Sequence, residues 1–534
     1  MKLKFKFLLV ISLMGFLTSA QDWKTYPYAP DGLITFPQDE GRHVTEPIEW
    51  WYTAGHLVGQ TTGKSYSYMY TFFHYPQSGF DGFRILNITD DDTGTFLQDV
   101  KPLNYTTLST TSFDLVANVF LAGTESWQNK KDITNNDIPF EYELFALTTN
   151  AGLDLDFETL KRPLILGDDG FLEQGATNYT YYFSQTMNAV TGTLTFNGTT
   201  EAVVGTGWID RQYGNFNPLT GEKYEWFSMQ LSNGMDLNLW NIFTSDRLIP
   251  DTDKYKILSA YVDETTQYTT DDFEIERLAY NWMPDLQRCY SQQWRLTSDT
   301  NNLDLIITTL HDNTEVQLPF RFFEGATSIT GTVNGSPVTG IGFAELLHDY
   351  EHPNVLITSP LSGVYDTGLP ISWNLENPDD GRPIFYDLAY SIDNQNTFNT
   401  IVTGLTETSY LWDGSNLTEG DEVWFKITAY SIDGVLNNTV VSAASSSATL
   451  ATNSLLLKGI STYPNPVSDT FYVDFDMPFQ GDYSVIDICG RQVMFSEISN
   501  DMALAIPVNQ LKSGLYFLHL RSQKGTADFK FIKQ

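Results

Sequence analysis

Two carboxylates in this chain follow an aromatic ring by one spacer, and each sits in the same local grammar. Gly205-x-Gly207-Trp208-x-Asp210 and Gly340-x-Gly342-Phe343-x-Glu345 align at an offset of 135 residues. In a strand, side chains i and i+2 share a face, so Asp210 stands beside the Trp208 indole. A carboxylic acid held against apolar surface has a raised pKa and keeps its proton near neutrality. Such an acid can protonate an olefinic carbon, a step that a solvated carboxylate performs poorly. Aromatic faces nearby stabilise the carbocation through their quadrupoles. Asp210 is therefore the first candidate for a general acid, with Trp208 as part of the pocket wall. The same position also suits a structural carboxylate that accepts backbone N–H groups or an arginine and pins two modules together. Arg211 is not that arginine in a regular strand, because it points to the opposite face. Glu345, at the repeat-equivalent position, leans further toward structure.

A third carboxylate opens the stretch "EWWYTAGHL" (49 to 57). Alternation puts Glu49, Trp51 and Thr53 on one face and Trp50, Tyr52, Ala54 and His56 on the other. The aromatic block is split between two environments, one packing core and one available to a pocket. Trp50 and Tyr52 are candidate ligand contacts, and Glu49 is a secondary, structural candidate.

Other chemistries find little support. There is no Gly-x-Ser-x-Gly elbow, no Walker loop and no dinucleotide glycine fingerprint. "HDYEH" (348 to 352) has the spacing of one zinc-protease motif, which requires a helix. Pro353 follows at once and disfavours helix at His352, so the segment reads as a polar exit from a strand. His43, His56 and His74 fit no standard ligand spacing. The residues imply neither a metal nor an organic cofactor.

The elements that must position these groups are strands. "SYSYMYTFFHY" (65 to 75) alternates tyrosines with smaller residues. Asn197-Gly198 and Asn334-Gly335 each lie between two strand-like runs, the strongest short hairpin signal. The repeat spacing suits two antiparallel barrels, with a junction near residue 215. The expected order is a first barrel over 21–215, a second over 216–352, and a sandwich of immunoglobulin or fibronectin III type over 353–450. The stretch 440 to 454 reads as strand running into linker. The fold class is all-β.

The ends and composition supply an address. Residues 1–20 carry Lys2, Lys4 and Lys6, an apolar run from Phe7 to Leu17, and then Thr18, Ser19 and Ala20. That is a signal peptide with cleavage after Ala20. The apolar run is shorter than the ~20 residues a membrane helix needs, and no later segment qualifies. Removal of the leader takes the formal charge from −36 to −39, which argues against nucleic acid and anionic membranes as partners. Only Cys289 and Cys489 are present, so the chain is not a disulfide scaffold.

Two resemblances follow from longer motifs. "YPNPVSDTFYVDF" (463 to 475), the Asp487-x-x-Gly490-Arg491 turn and Gly514-Leu515-Tyr516 resemble the type A sorting domain of the type IX secretion system. This implies a small β-sandwich over 457–534, read by the secretion machinery, and a secreted or cell-surface protein. "FPQDEGRHVTEPIEWWYTAGHL" (36 to 57), Gly63, Tyr66, Phe72-Phe73 and "GTGWIDRQYG" (205 to 214) resemble the carotenoid 1,2-hydratase/AttH-like family. Weaker matches are "SQQWRL" (291 to 296) and "GIGFAEL" (340 to 346). The resemblance implies two lipocalin-like barrels with a pocket for a small apolar ligand between or within them. Members include hydratases that add water to an isolated carotenoid double bond and cyclases that fold polyenes. In the hydratases the aspartate matching Asp210 is a proposed proton donor, paired with an upstream His-x-Trp. Here Tyr181 and Phe183 stand in those places, which makes Tyr181 a further candidate pocket residue. The departure counts against carotenoid hydration, because histidine is the side chain that titrates near neutral pH. The alternative is a non-catalytic carrier of a hydrophobic ligand.

Overall fold

In a computed structural model, the structure describes residues 23–534 except 31, 78, 217–219, 319–320, 449–458, 489 and 523–524. The expected leader with its cleavage after Ala20, Cys489 and the end of the 440–454 stretch lie outside the described residues. Among the described residues a single-turn 3-10 helix (Gln38–Glu40) precedes the strands, and the fold is all-β. No helix among the described residues is long and apolar enough to cross a membrane.

The chain divides into two units, the first comprising residues up to Val355 together with 375–386 and 428–438. Twelve strands between Ile48 and Gly214 form its first sheet. The Ile48–Gly59 strand lies between Thr199–Gly214 and Ser65–Gln77, and Ala151–Thr159 pairs back onto Asn178–Phe196 to close a ten-strand antiparallel barrel. Alternation explains the packing: Tyr66, Tyr68 and Tyr70 point into the barrel, while Met69 points out of it. Trp51, Trp127, Leu144 and Leu155 complete the interior. Burying each such large side chain contributes roughly 2–3 kcal/mol.

The second sheet runs from Lys223–Leu231 to Ser336–Leu346 with the same hairpin grammar. Its end strands, Thr266–Thr270 and Glu274–Trp282, are not hydrogen-bonded partners among the described residues, so this barrel stays open at that seam. Phe227, Leu239, Tyr290 and Trp294 fill it. Both Asn-Gly turns have two left-handed residues (φ +49° and +74° at 197–198, +50° and +71° at 334–335), as a two-residue hairpin matching strand twist requires.

Each barrel buries an ion pair inside. Arg211 pairs with Glu49, and its guanidinium lies 4.0 Å from the Trp51 ring centroid. Arg277 pairs with Glu225 at 2.6 Å. The outer faces of the two barrels also meet in a third apolar cluster, with Tyr52, Met69, Ile85 and Tyr182 from one barrel and Trp226, Trp240, Phe322 and Phe343 from the other. Strands such as Ser65–Gln77 therefore read as apolar on both faces, because a second sheet covers what is ordinarily the wet side. Leu436, from a segment that joins this unit late in the chain, packs on Tyr280, Cys289 and Tyr350. Burial pushes the Cys289 thiol up to about 12 and leaves it an inert packing group.

In the second unit, Tyr365, Trp412 and Phe425 form an aromatic core, with Tyr365 and Phe425 in a T-shaped contact at 4.8 Å. The C-terminal strands Ile460–Tyr463, Thr470–Asp487, Gln492–Pro507, Gly514–Ser522 and Gly525–Lys533 form one antiparallel sheet around Phe471, Val473, Leu518 and Phe531. Arg491 Nε donates to Asp487 Oδ2 at 2.9 Å, which ties the turn seen in the sequence.

Candidate active site

Where the outer faces of the two barrels meet, they leave a cavity of about 150 Å³. An apolar cavity of that size holds a single ring. Strand alternation puts Trp50 and Tyr52 on its wall, while Glu49 and Trp51 turn into the first barrel. Phe73 and Ile85 extend the wall on the same side, and Trp226, Trp240 and Phe322 face them from the second barrel. Of the seven residues singled out in the sequence, four line the cavity: Trp50, Tyr52, Asp210 and Glu345.

Asp210 is buried (3% exposed) and is held by three donors. The Tyr182 hydroxyl donates to Oδ2 at 2.7 Å, while the Ser184 hydroxyl and the Trp208 indole N–H donate to Oδ1 at 2.5 and 2.7 Å. Burial raises its pKa, the three donors oppose that, and nearby Glu345 adds to it, so that the carboxyl is pushed up to about 7. The donors are themselves oriented from the second barrel. Asn238 Nδ2 donates to both the Tyr182 and Ser184 oxygens (2.8 and 3.1 Å), which directs their protons to Asp210. The Trp226 indole N–H donates to Asn238 Oδ1 at 3.1 Å and fixes the amide. Trp208 serves the acid as a hydrogen-bond donor and does not itself line the cavity.

Glu345 lines the opposite wall and accepts from the Tyr224 hydroxyl. Its cross-strand partner is Glu324, which accepts from the Tyr52 hydroxyl at 2.9 Å. Burial raises both carboxyls above the usual range; repulsion from Glu345 raises Glu324 further, while hydrogen bonds with Tyr224 and Glu324 oppose the rise at Glu345.

Tyr181 lies off this wall. Its ring stacks on Tyr213 at 5.1 Å and meets Phe171 edge-on, on the other face of its strand. The reason is register. A β-bulge between Gln185 and Asn188 shifts the pairing by one residue, so that Ser184 is opposite Asp210 and Tyr182 opposite Gln212. The residues that face the acid are Tyr182 and Ser184, one position along from Tyr181 and Phe183.

Glu49 belongs to the barrel interior. It pairs with Arg211 and Arg42 and accepts the His43 backbone N–H at 2.8 Å; Arg211 first, then these donors, hold it below the ordinary carboxylate range despite burial. The histidines disperse. His43 binds Asp39 at 2.8 Å and stacks on Tyr213, His56 is half-buried beside Phe343, and His74 lies near Tyr105. His348 stacks on Phe243 at 3.6 Å in extended chain, with Asp380 at 3.4 Å. No group of three or more potential metal ligands gathers among the described residues.

An all-β pair of lipocalin-like barrels enclosing an apolar, carboxyl-bearing cavity between their outer faces defines the class of protein. Residues 27–350 match the AttH-like family, and the chain belongs to it. Residues 461–534 match the secretion system C-terminal sorting domain, which points to type IX export and a secreted or cell-surface location. Among solved structures, the chain is similar to a putative AttH from Nitrosomonas europaea (23% identity, TM-score 0.48, covering 60% of this chain and 99% of that one). It is also similar to kievitone hydratase from Nectria haematococca (15% identity, TM-score 0.48, covering 60% and 98%). No curated protein matches the chain.

Proposed function

We propose that this exported AttH-like protein takes the end of an apolar polyene, terpenoid or lipid into the cavity and catalyses acid-initiated chemistry at a carbon–carbon double bond. The observation that carries the reading is Asp210, a carboxyl on the wall of an aromatic cavity with its pKa pushed up to about 7. In the first step the Asp210 O–H bond breaks, a C–H bond forms from the olefin π pair, and positive charge develops on the neighbouring carbon. Rings such as Trp50, Trp226 and Trp240 line the cavity, and aromatic faces stabilise such a charge. The cation is then quenched by water (hydration), by loss of a proton (isomerisation) or by a second double bond (cyclisation). None of these steps calls for a metal or an organic cofactor.

The second reading is a carrier that holds an apolar ligand in the same cavity without turnover, the apolar wall being sufficient for binding. The test is Asp210→Asn assayed on retinol, β-ionone and squalene in H2-18-O, with mass spectrometry of products and tryptophan quenching for binding. Loss of turnover by about 100-fold or more with binding kept supports the acid role. An unchanged rate removes Asp210 from that role. If the wild type alters none of the probes and an apolar compound co-purifies intact, the carrier reading replaces the enzyme.

A further inference from the structure

The cavity has acidic groups on both walls, and no lysine, arginine or histidine is among the described residues that line it. Asp210 stands on the first barrel and Glu345 on the second, among aromatic rings from both. Ring faces carry negative quadrupole, so wall and carboxyls act in the same direction.

The second wall is more than one carboxyl. Glu324 and Glu345 are direct partners across a hairpin; Glu324 is buried (3% exposed) and Glu345 is half-buried on the cavity wall. Two carboxylates in such a position cannot both ionise. Each accepts one phenol, Tyr52 for Glu324 and Tyr224 for Glu345, yet Glu324 Oε2 receives no hydrogen bond from any other described group. A proton held between the two carboxyls satisfies that oxygen. The pair then bears one negative charge, and no lysine or arginine among the described residues forms an ion pair with it.

We infer that the Glu324–Glu345 pair is the counter-charge for a positive centre in the cavity, so that the site accepts ligands that are, or become, cationic and rejects anionic lipids. Compounds in the first class are olefins protonated at Asp210 and alkylammonium ions; fatty acids and prenyl diphosphates are in the second. The olefin half rests on Asp210 as proton donor; the charge preference does not. In hydration, a water lone pair forms the C–O bond, and the oxonium proton passes to the pair, which becomes neutral. Solvent returns a proton to Asp210 and removes one from the pair, so that olefin and water alone are consumed.

The test uses the full chain and ring-sized probes that differ in charge: cyclohexyltrimethylammonium, its neutral isostere tert-butylcyclohexane, and cyclohexanecarboxylate. Each competes against bound Nile red, read by fluorescence. The ammonium ion is expected to displace the dye at about tenfold lower concentration than the neutral isostere, and the carboxylate not to displace it. Glu345→Gln should remove most of the ammonium advantage, read as the ratio of the ammonium ion's affinity to that of tert-butylcyclohexane on the same variant. Equal affinity of cation and isostere, displacement by the carboxylate, no displacement by any probe, or an advantage that survives Glu345→Gln each overturns the inference. Where Glu345→Gln does not fold by circular dichroism, the wild-type ranking decides. Failure here leaves the Asp210→Asn turnover result standing, and failure there leaves the charge ranking standing.

Discussion

On the proposed reading, Asp210 sets the pH range in which the site can work. With its pKa pushed up to about 7, it holds its proton below neutrality and loses it above. Turnover limited by that proton should be flat in mild acid and fall about tenfold per pH unit above 7, as a pH–rate profile will read. The same shift acts on stability. Burial raises Asp210 and Glu40 to about 7, and Asp236 to about 6. For these groups the native state binds more protons than the unfolded chain, so their contribution is complete below about pH 4 and is lost as pH rises toward 7. Urea unfolding at pH 5 and pH 8 should therefore show a smaller loss in Asp210→Asn and in Glu40→Gln than in the wild type, the difference being on the order of a few kcal/mol. The residues of the acid site were unevenly legible. Asp210 and Glu345 were marked by their repeat. Glu324 could have been found by counting back from Asn334-Gly335, since a two-residue turn puts it opposite Glu345. Asn238 and Tyr224 left no mark, because nothing in their own strands encodes a neighbour on another sheet.

Strands are what place those residues, and register decides what each one does. The bulge near Gln185 separates Tyr182, which donates to the acid, from Tyr181, which packs on Tyr213. Spacing alone could not reveal it, because a bulge adds one residue without any composition signal of its own. The strand faces around Glu49 were legible, since unbroken alternation from Glu49 to Leu57 needs only period two. The buried pair that ties this strand to its neighbour gives a further prediction. Arg211→Met leaves Glu49 without its deepest partner and should cost about 3–5 kcal/mol in urea unfolding. The double variant Glu49→Leu/Arg211→Met should recover part of that loss, because it removes both members of the buried pair, while Arg42 loses its Glu49 contact and keeps its backbone acceptors.

At the scale of the chain, order and address were legible while the site was not. Turn signals, repeat length and the terminal motifs mark barrels, sandwich and sorting domain, since each is a local pattern. The cavity arises where outer faces of two sheets meet, from residues as far apart as Trp50 and Leu347. Such a meeting depends on docking and has no spacing of its own. The separate cores predict a modular response to truncation. Removing 461–534 deletes a core of its own around Phe471 and Leu518. Calorimetry should find the barrel transition within about 2 °C of the full chain's, while cell fractionation finds the shortened protein no longer at the surface.

On the proposed reading, the Asn238 bridge has a consequence for when Asp210 can act as an acid. The acid belongs to the first barrel, but the amide that turns two hydroxyls toward it belongs to the second. Without the second barrel, Asp210 keeps its donors Tyr182, Ser184 and Trp208 but loses burial that holds its proton, and the aromatic wall is incomplete. On the proposed reading, the acid at Asp210 is complete only once the two barrels have joined. Latency of this kind requires neither a propeptide nor an inhibitor.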